Sequence, residues 1–220
     1  MQLLIFPGGG SPHTHLYSAV YALLEQEAGN YGYDGIDGSI TWPGQILRDD
    51  AASAALTLHG AQEVAAAKIV DYESRGIAYD LLGRSFGCLV AAQCAVNLKP
   101  KHLRKIKLWG PSAFWMLWQK YARDLESNRE ICRSKGLIVD ETYFPSLVPF
   151  ESLICHLDYH TVIATGTKDN YSSPAYLDYL RSITASNNLV TFRMVQDAPH
   201  EVTKDLCETV VKAYLDALLA

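Results

Sequence analysis

The sequence predicts an α/β fold, in which helices cover both faces of a mostly parallel sheet of about six strands. Three observations lead to this prediction. Short apolar runs alternate along the chain with helical periods. These runs lack the polar alternation of half-exposed strands, as is typical of strands buried on both faces. One run ends in Gly83-Arg84-Ser85-Phe86-Gly87 and passes directly into a helical pattern.

The short apolar runs are predicted as strands. They cover Leu3–Phe6, Ser39–Trp42, Ile77–Leu82, Ile106–Trp109, Thr161–Thr165 and Val190–Met194. The run at Ser39–Trp42 is short and is followed by Pro43, which suits the edge of a sheet, because proline has no N–H to give to a neighbouring strand.

Apolar stripes at helical spacing fill the intervals between the strands. The first stripe ends at Gly29-Asn30 and consists of Leu16, Ala19, Val20, Leu23 and Leu24. The second ends at Gly76 and consists of Ala61, Ala65, Ile69 and Tyr72. The third reaches the end of the chain and consists of Leu206, Val210, Ala213, Tyr214, Ala217 and Leu218. Residues 1–220 are therefore predicted as a single domain, with no repeat or linker.

Composition excludes several classes of protein. The net charge of -5 argues against a dedicated nucleic-acid binder, which normally carries a basic excess. Five cysteines form no CxxC pair and no metal-binding spacing, so we expect reduced, mostly buried thiols. No apolar run approaches the length of a membrane span, and the first residues lack the basic region of a secretory signal. A cytoplasmic protein without metal or cofactor is expected.

Residues 112–156 interrupt the alternation of strands and helices, since the stretch is too long for a simple loop. Two interpretations remain open. The stretch is either an ordinary crossover helix with an irregular tail, or a small cap inserted into the domain. In the second case its aromatic side chains, among them Trp115 and Trp118, would roof a substrate pocket.

Ser85 is the strongest candidate for a functional residue. A serine on a tight turn from strand to helix is lifted clear of the sheet, and glycine at positions 83 and 87 relieves the crowding of that turn. The positive end of the following helix lies beside the hydroxyl. A serine hydroxyl nevertheless needs a base, usually histidine, and a carboxylate that orients the histidine.

Asp169 and His200 are the best candidates for these two roles. Each follows a predicted strand, so both lie at the sheet edge where Ser85 lies and where sites of α/β proteins assemble. Asp197 competes with Asp169, but it is only three residues from His200 and is expected to shape that loop. The remaining histidines lie at helix ends, in loops or at the opposite edge. A metal site built on His13 and His15 is disfavoured.

A glycine-rich loop follows the first strand. Its three glycines allow backbone N–H groups to turn toward an anion, as an oxyanion hole requires. We expect one donor from the N–H of Phe86 and a second from Gly9, with Gly10 as the nearest alternative and a further substrate contact. A phosphate-binding loop is less favoured, because the spacing of a dinucleotide motif and the Gly-Lys-Ser/Thr ending are both missing.

Taken together, these motifs resemble the α/β-hydrolase family. The resemblance rests on four segments, namely residues 7–10, 83–87, 166–169 and 198–200. It implies that Ser85 is the nucleophile, His200 the general base and Asp169 the orienting acid. Pro7 and Cys88 depart from the family pattern, in which histidine and glycine are common at these places. The antiparallel hairpin with which many members begin is also missing.

The leading hypothesis is a serine hydrolase that cleaves an ester, thioester or related acyl bond of a small-molecule substrate. One alternative keeps the site but changes the acceptor, as in an acyltransferase or a carrier thioesterase of a biosynthetic pathway. Another is a non-catalytic binding protein on the same scaffold. The sequence does not indicate the substrate or the oligomeric state.

Overall fold

The computed structural model describes most of the chain. The described residues are 1–9, 15–43, 56–111, 129, 130, 133, 138, 139, 142, 143, 147–202 and 207–219. The strands are β1 Gln2–Phe6, β2 Gly35–Asp37, β3 Tyr79–Arg84, β4 Leu103–Trp109, β5 His160–Lys168 and β6 Val190–Pro199. The helices are α1 His15–Ala28, α2 Leu58–Ser74, α3 Phe86–Leu98, α4 Glu151–Ile154, α5 Pro174–Thr184 and α6 Cys207–Leu219.

The strands form one parallel sheet of six strands in the order β2-β1-β3-β4-β5-β6. This confirms the predicted parallel α/β architecture. From β1 the chain passes to β2 on one side, then returns to β3 on the other. The order of the strands therefore reverses between β1 and β3, and in open α/β sheets the carboxyl ends of the strands at such a point are where ligand sites form. Because Phe6 is in register with Gly83, the loop after β1 lies beside the turn after β3.

Helices cover both faces of the sheet, which explains the continuous apolar runs of the strands. α1 and α6 pack on one face, where they meet Leu3 and Ile5 of β1. α2, α3, α4 and α5 pack on the other face, where they meet Leu4 and Phe6. Successive residues of β1 thus enter different cores, as the two-residue period of a strand requires.

The predicted strand at residues 39–42 is wrong in position. β2 ends at Asp37. The Asp37 carboxylate accepts hydrogen bonds from the backbone N–H and the hydroxyl of Ser39 and forms an ion pair with Lys68. These contacts turn the chain out of the sheet. Burial raises the pKa of Asp37, but hydrogen bonds from Lys68, Ser39 and Tyr72 outweigh it and lower the pKa to about 2. The expectation of an edge strand is correct, since β2 lies at the edge of the sheet.

β5 and β6 extend beyond their predicted ends. β5 continues to Lys168 and β6 to Pro199, and these two residues are in register. The residues that follow them, Asp169 and His200, therefore leave the same edge of the sheet side by side. Most of the predicted insertion at 112–156, with Trp115 and Trp118, lies outside the described residues. Gly10 lies outside them as well.

Within the described ranges, no helix combines the length and the apolar character that crossing a membrane requires.

Candidate active site

Ser85 lies between β3 and α3 in a backbone conformation that L-residues rarely adopt, with φ 50° and ψ -117°. Its N–H donates to the carbonyl of Trp109 on the neighbouring strand at 2.9 Å. Strain of this kind persists only where the surroundings enforce it, and it is concentrated at functional sites.

The two glycines around Ser85 are required by close backbone contacts. A Cβ atom at Gly83 would lie 2.6 Å from the carbonyl oxygen of Gly87. A Cβ atom at Gly87 would collide with the carbonyl oxygen of Phe6 and lie 2.6 Å from that of Pro7. Gly87 therefore allows α3 to begin directly against the loop after β1, which brings the turn at Ser85 and the glycine-rich loop together.

His200 connects Ser85 to Asp169. Its Nε2 atom lies 2.9 Å from Ser85 Oγ, and its Nδ1 atom lies 2.8 Å from Asp169 Oδ2. The other carboxylate oxygen of Asp169 accepts the N–H of Tyr171 at 2.8 Å. Asp169 is 4 % exposed and His200 is 8 % exposed. In so dry a site these hydrogen bonds are stronger than they would be in water, and they restrict the imidazole to one orientation.

Two further groups confine the imidazole. The ring of Tyr171 meets the His200 ring edge-on with centroids 4.7 Å apart, and its hydroxyl donates to Glu201 at 3.1 Å. Gly110 lies on another side with φ +59°, and a Cβ atom there would come within 3.4 Å of His200 Nδ1. Sequence reasoning missed both residues, because their place depends on how β4 and β5 end.

Asp197, the competing acid, does not contact His200. Its exposed carboxylate pairs with Lys168 at 3.0 Å, and its N–H donates to the hydroxyl of Thr167. The hydrogen bond from Lys168 lowers the pKa of Asp197. With φ 57°, Asp197 forms an irregularity in β6, and it shapes this end of the strand, as the sequence predicts.

Trp42 is a residue of the site that the sequence analysis placed in a strand. Its Nε1–H donates to the carbonyl of Pro7 at 2.9 Å, which fixes the start of the glycine-rich loop. Its ring meets the rings of Phe6 and Phe86 edge-on. Gly9 is half-buried in this loop, and Phe86 begins α3 next to Ser85.

Cys88 lies beneath the turn at Ser85. Its buried thiol donates to the carbonyls of Gly83 and Trp109 at 3.1 and 3.3 Å. Burial raises the pKa of the thiol well above its usual value, so it remains protonated and unreactive. In the part of the chain that the structure describes, no group of three or more histidine, cysteine or acidic side chains could hold a metal ion.

Comparison with solved structures identifies this architecture. The chain superposes on a monoacylglycerol lipase of Paleococcus ferrophilus with a TM-score of 0.63 at 14% identity, covering 98% of this chain and 94% of that one. A deformylase of Pseudomonas putida for N-formylmaleamic acid gives 0.63 at 14% identity, with coverage of 98% and 90%. The Est1E protein of Butyrivibrio proteoclasticus with bound ferulic acid gives 0.62 at 13% identity, with coverage of 98% and 86%.

The chain has the α/β-hydrolase fold. No family model matches the sequence, and no curated protein matches it. At identities of 13 and 14% the likeness shows the fold alone. The chemistry depends on the residues that this chain places on that fold. In this α/β-hydrolase fold, the turns after β3, β5 and β6 carry Ser85, Asp169 and His200.

Proposed function

We propose that the protein is a serine hydrolase that cleaves an ester, thioester or related acyl bond of a small molecule. The observation that carries the proposal is the continuous chain of hydrogen bonds from Ser85 through His200 to Asp169. A buried carboxylate, an imidazole and a strained serine in this order can activate a hydroxyl for attack on a carbonyl.

In the first half of the reaction, Ser85 Oγ attacks the carbonyl carbon while His200 Nε2 takes the hydroxyl proton. Asp169 holds Nδ1 protonated and stabilises the imidazolium that forms. When the tetrahedral intermediate collapses, His200 gives the proton to the leaving alcohol or thiol. The bond to the leaving group breaks, and the acyl group remains on Ser85.

In the second half, water takes the place of the leaving group. His200 removes a proton from the water as its oxygen attacks the acyl carbon, and then returns the proton to Ser85 Oγ as the acid leaves. The step requires no metal or organic cofactor, because the nucleophile, base and acid all come from the chain.

The backbone N–H of Phe86 and that of Gly9 are the proposed donors to the developing oxyanion. Phe86 opens α3 beside Ser85, and Gly9 lies in the loop that Trp42 fixes through the Pro7 carbonyl. Preorganised donors at this place stabilise the charge of the transition state more than that of the substrate. Gly10, Trp115 and Trp118 remain proposed substrate contacts, and the cap at 112–156 remains a prediction.

The structural neighbours support this class of reaction. They include a lipase, a deformylase and esterases. The reaction proposed for this chain belongs to the same general class, the hydrolysis of an acyl group. A non-catalytic binding protein would not need an imidazole within hydrogen-bond distance of a strained serine, so the 2.9 Å contact weighs against that alternative.

The test is intact-mass analysis after treatment with a fluorophosphonate. We expect one adduct on the wild-type protein, none on Ser85→Ala, and one on the control Ser182→Ala, which removes an exposed helix hydroxyl that donates to the Tyr179 carbonyl. Labelling of Ser85→Ala, or no labelling of the wild type, would contradict the proposal.

A substrate screen then separates hydrolysis from acyl transfer. Short p-nitrophenyl esters and acyl-CoA thioesters are compared with and without alcohol or amine acceptors. We expect release of the free acid in every case. An acylated acceptor as the main product would instead support the acyltransferase alternative, with the same site and the same Ser85 intermediate.

A further inference from the structure

Arg84, the residue directly before the nucleophile, makes a contact that the proposed reaction does not use. Its Nη2 atom donates to the backbone carbonyl of His200 at 3.3 Å. The two residues are 116 positions apart in the chain, so the contact joins the end of β3 to the turn after β6. A hydrogen bond from a charged donor to a carbonyl is stronger than one from a neutral donor, especially where the groups are partly buried.

Trp109 supports this contact from β4. The guanidinium carbon of Arg84 lies 5.6 Å from the centroid of the Trp109 ring, a distance at which a cation is attracted to an aromatic face. The ring of Tyr214 from α6 stacks on Trp109 with centroids 4.6 Å apart and an interplanar angle of 27°. The buried ring of Trp109 therefore packs against both the guanidinium of Arg84 and the ring of Tyr214.

Both of these groups hold the turn that carries the histidine. The Tyr214 hydroxyl donates to the carbonyl of Pro199 at 3.4 Å, and Arg84 donates to the carbonyl of His200. Two consecutive carbonyls are thus bound by side chains packed on the same ring. Both contacts are long, at 3.3 and 3.4 Å, and we expect Arg84 to contribute more because its donor is charged.

Trp109 also acts on the nucleophile through its backbone. Its carbonyl accepts the N–H of Ser85 at 2.9 Å and the thiol of Cys88 at 3.3 Å. The main chain of Trp109 therefore fixes the serine turn, while its side chain supports the two donors that fix the histidine turn. The 2.9 Å separation between Ser85 Oγ and His200 Nε2 depends on both turns.

We propose that Arg84 is a positioning residue, which acts with Trp109 and Tyr214 to hold the backbone of His200 so that its imidazole reaches Ser85. Arg84 takes no part in proton transfer. The expected loss of kcat rests on the proposed function. The expected displacement of the His200 ring does not, because it concerns the position of that ring alone.

The kinetic experiment compares Arg84→Met with wild type on a short p-nitrophenyl ester. Misplacement of a catalytic group by about 1 Å can lower the rate about 100-fold, so we expect kcat to fall about 10- to 100-fold while KM stays within about twofold. Arg84→Lys keeps the charge and one donor and should recover part of the loss. Tyr214→Phe should lower kcat less than Arg84→Met. The matched control is Arg75→Met, which should leave kcat unchanged, because Arg75 is exposed and pairs with Asp71 on α2.

A second readout follows the geometry without any substrate. The proton between His200 Nδ1 and Asp169 gives a far-downfield NMR resonance when the imidazole is held against the carboxylate. We expect this resonance in the wild type and in Arg75→Met, and its loss or broadening in Arg84→Met. Thermal unfolding of each variant shows that the fold is retained. If Arg84→Met does not fold, Arg84→Lys and Tyr214→Phe carry the same comparison.

The outcomes separate the two proposals. A downfield resonance that is unchanged in Arg84→Met and Tyr214→Phe would overturn the positioning role, as would its absence from the wild type. An unchanged kcat, or a rise in KM with constant kcat, would also overturn it. If the resonance is lost in Arg84→Met although the wild type neither reacts with fluorophosphonate nor turns over an ester, the positioning role stands and the proposed hydrolase activity fails.

Discussion

The ammonium group of Lys107 lies 3.8 Å from the carboxylate of Asp80 in the interior of the protein, where both side chains are almost fully buried. Lys107 also donates to the carbonyl of Leu218 in α6, and the hydroxyl of Tyr33 donates to Asp80 at 2.6 Å. The cluster lies on the face of the sheet covered by α1 and α6. A buried ion pair has a large desolvation cost, which its mutual attraction offsets only in part.

This cluster predicts a rise of stability with pH. Burial lowers the pKa of Lys107 from 10.5 to about 8, although Asp80 opposes the shift. Between these two values the unfolded chain holds the proton and the folded protein releases it, so the free energy of unfolding should increase from about pH 8 to about pH 10.5. Below pH 8 both states are protonated, and the contribution of Lys107 is constant. The shift of about 2.5 pKa units, at about 1.4 kcal/mol per unit, limits the increase to roughly 3.5 kcal/mol.

Urea unfolding of the wild type and Lys107→Met between pH 7 and pH 10 measures this effect. The difference in free energy between the two proteins should change across the window and stay constant below it. Parallel curves would contradict the assignment. The comparison with the variant removes the contribution of the tyrosines, whose ionisation in the unfolded chain lowers stability near the upper end of the window.

Glu151 predicts a stabilising substitution. Its carboxylate is buried where α4 packs against α3 and α5, and within the described part of the chain neither oxygen has a hydrogen-bond partner. Burial, the charge of Glu151 and a hydrogen-bonding interaction with Glu151 raise the pKa of the Tyr176 phenol, but the phenol and the carboxylate do not reach ordinary hydrogen-bond geometry. Glu151→Met removes the cost of burying a poorly paired carboxylate, so the free energy of unfolding should rise by about 1 to 3 kcal/mol.

Chemical unfolding of Glu151→Met tests this prediction. Glu63→Met is the control, since Glu63 is exposed on α2 and pairs with the exposed His59, and the stability of this variant should stay within about 0.5 kcal/mol of wild type. A loss of stability in Glu151→Met would show that the carboxylate has a role in the folded protein.

Gly87→Ala should destabilise the protein by roughly 3 kcal/mol. The new methyl group would meet the backbone carbonyls of Phe6 and Pro7, which cannot move without separating α3 from β1. Gly29→Ala is the matched control, because a Cβ atom there meets nothing within 4 Å. Thermal unfolding should show a lower Tm for the first variant only, and equal Tm values would contradict the close contact.

Asp169→Asn should lower kcat roughly 10⁴-fold while the fold is retained, because an amide no longer holds the histidine in the tautomer that accepts the serine proton. Asp197→Asn is the matched control and should have little effect, since Asp197 pairs with Lys168 at the surface. Steady-state kinetics on a short ester gives both values. A large loss in Asp197→Asn with an active Asp169→Asn would reverse the assignment of the acid.

Trp42→Phe should lower kcat about tenfold with a smaller effect on stability. Phenylalanine keeps the aromatic contacts with Phe6 and Phe86 but removes the hydrogen bond to Pro7, which fixes the glycine-rich loop. A loosened loop orders the proposed Gly9 donor less well, and a single donor of this kind is worth 10²- to 10³-fold when it is lost completely. An unchanged kcat would argue against a role for this loop in the reaction.

Local chemistry explains why much of the fold could be predicted. Runs such as Leu3–Phe6 are apolar at every position, which indicates burial on both faces, and the turn at Ser85 needs glycine at position 83 because a Cβ atom there would meet the backbone of Gly87 and Cys88, within the same turn. Asp169 and His200 could be proposed because each follows a strand of a parallel sheet. These inferences need only the period of side chains along a helix or strand and the crowding of a short turn.

The tertiary structure decided the features that depend on register and on distant contacts. The pairing of Lys168 with Pro199 brings Asp169 to His200 and leaves Asp197 at the surface. Trp42 is predicted in a strand, but it supports the glycine-rich loop through a hydrogen bond to Pro7, which is 35 positions away in the chain. Lys107 is a charged residue of β4 that is nevertheless buried in the structure. Such contacts join residues that are far apart in the chain. They depend on how distant surfaces pack together, and the local pattern of side chains does not determine that packing.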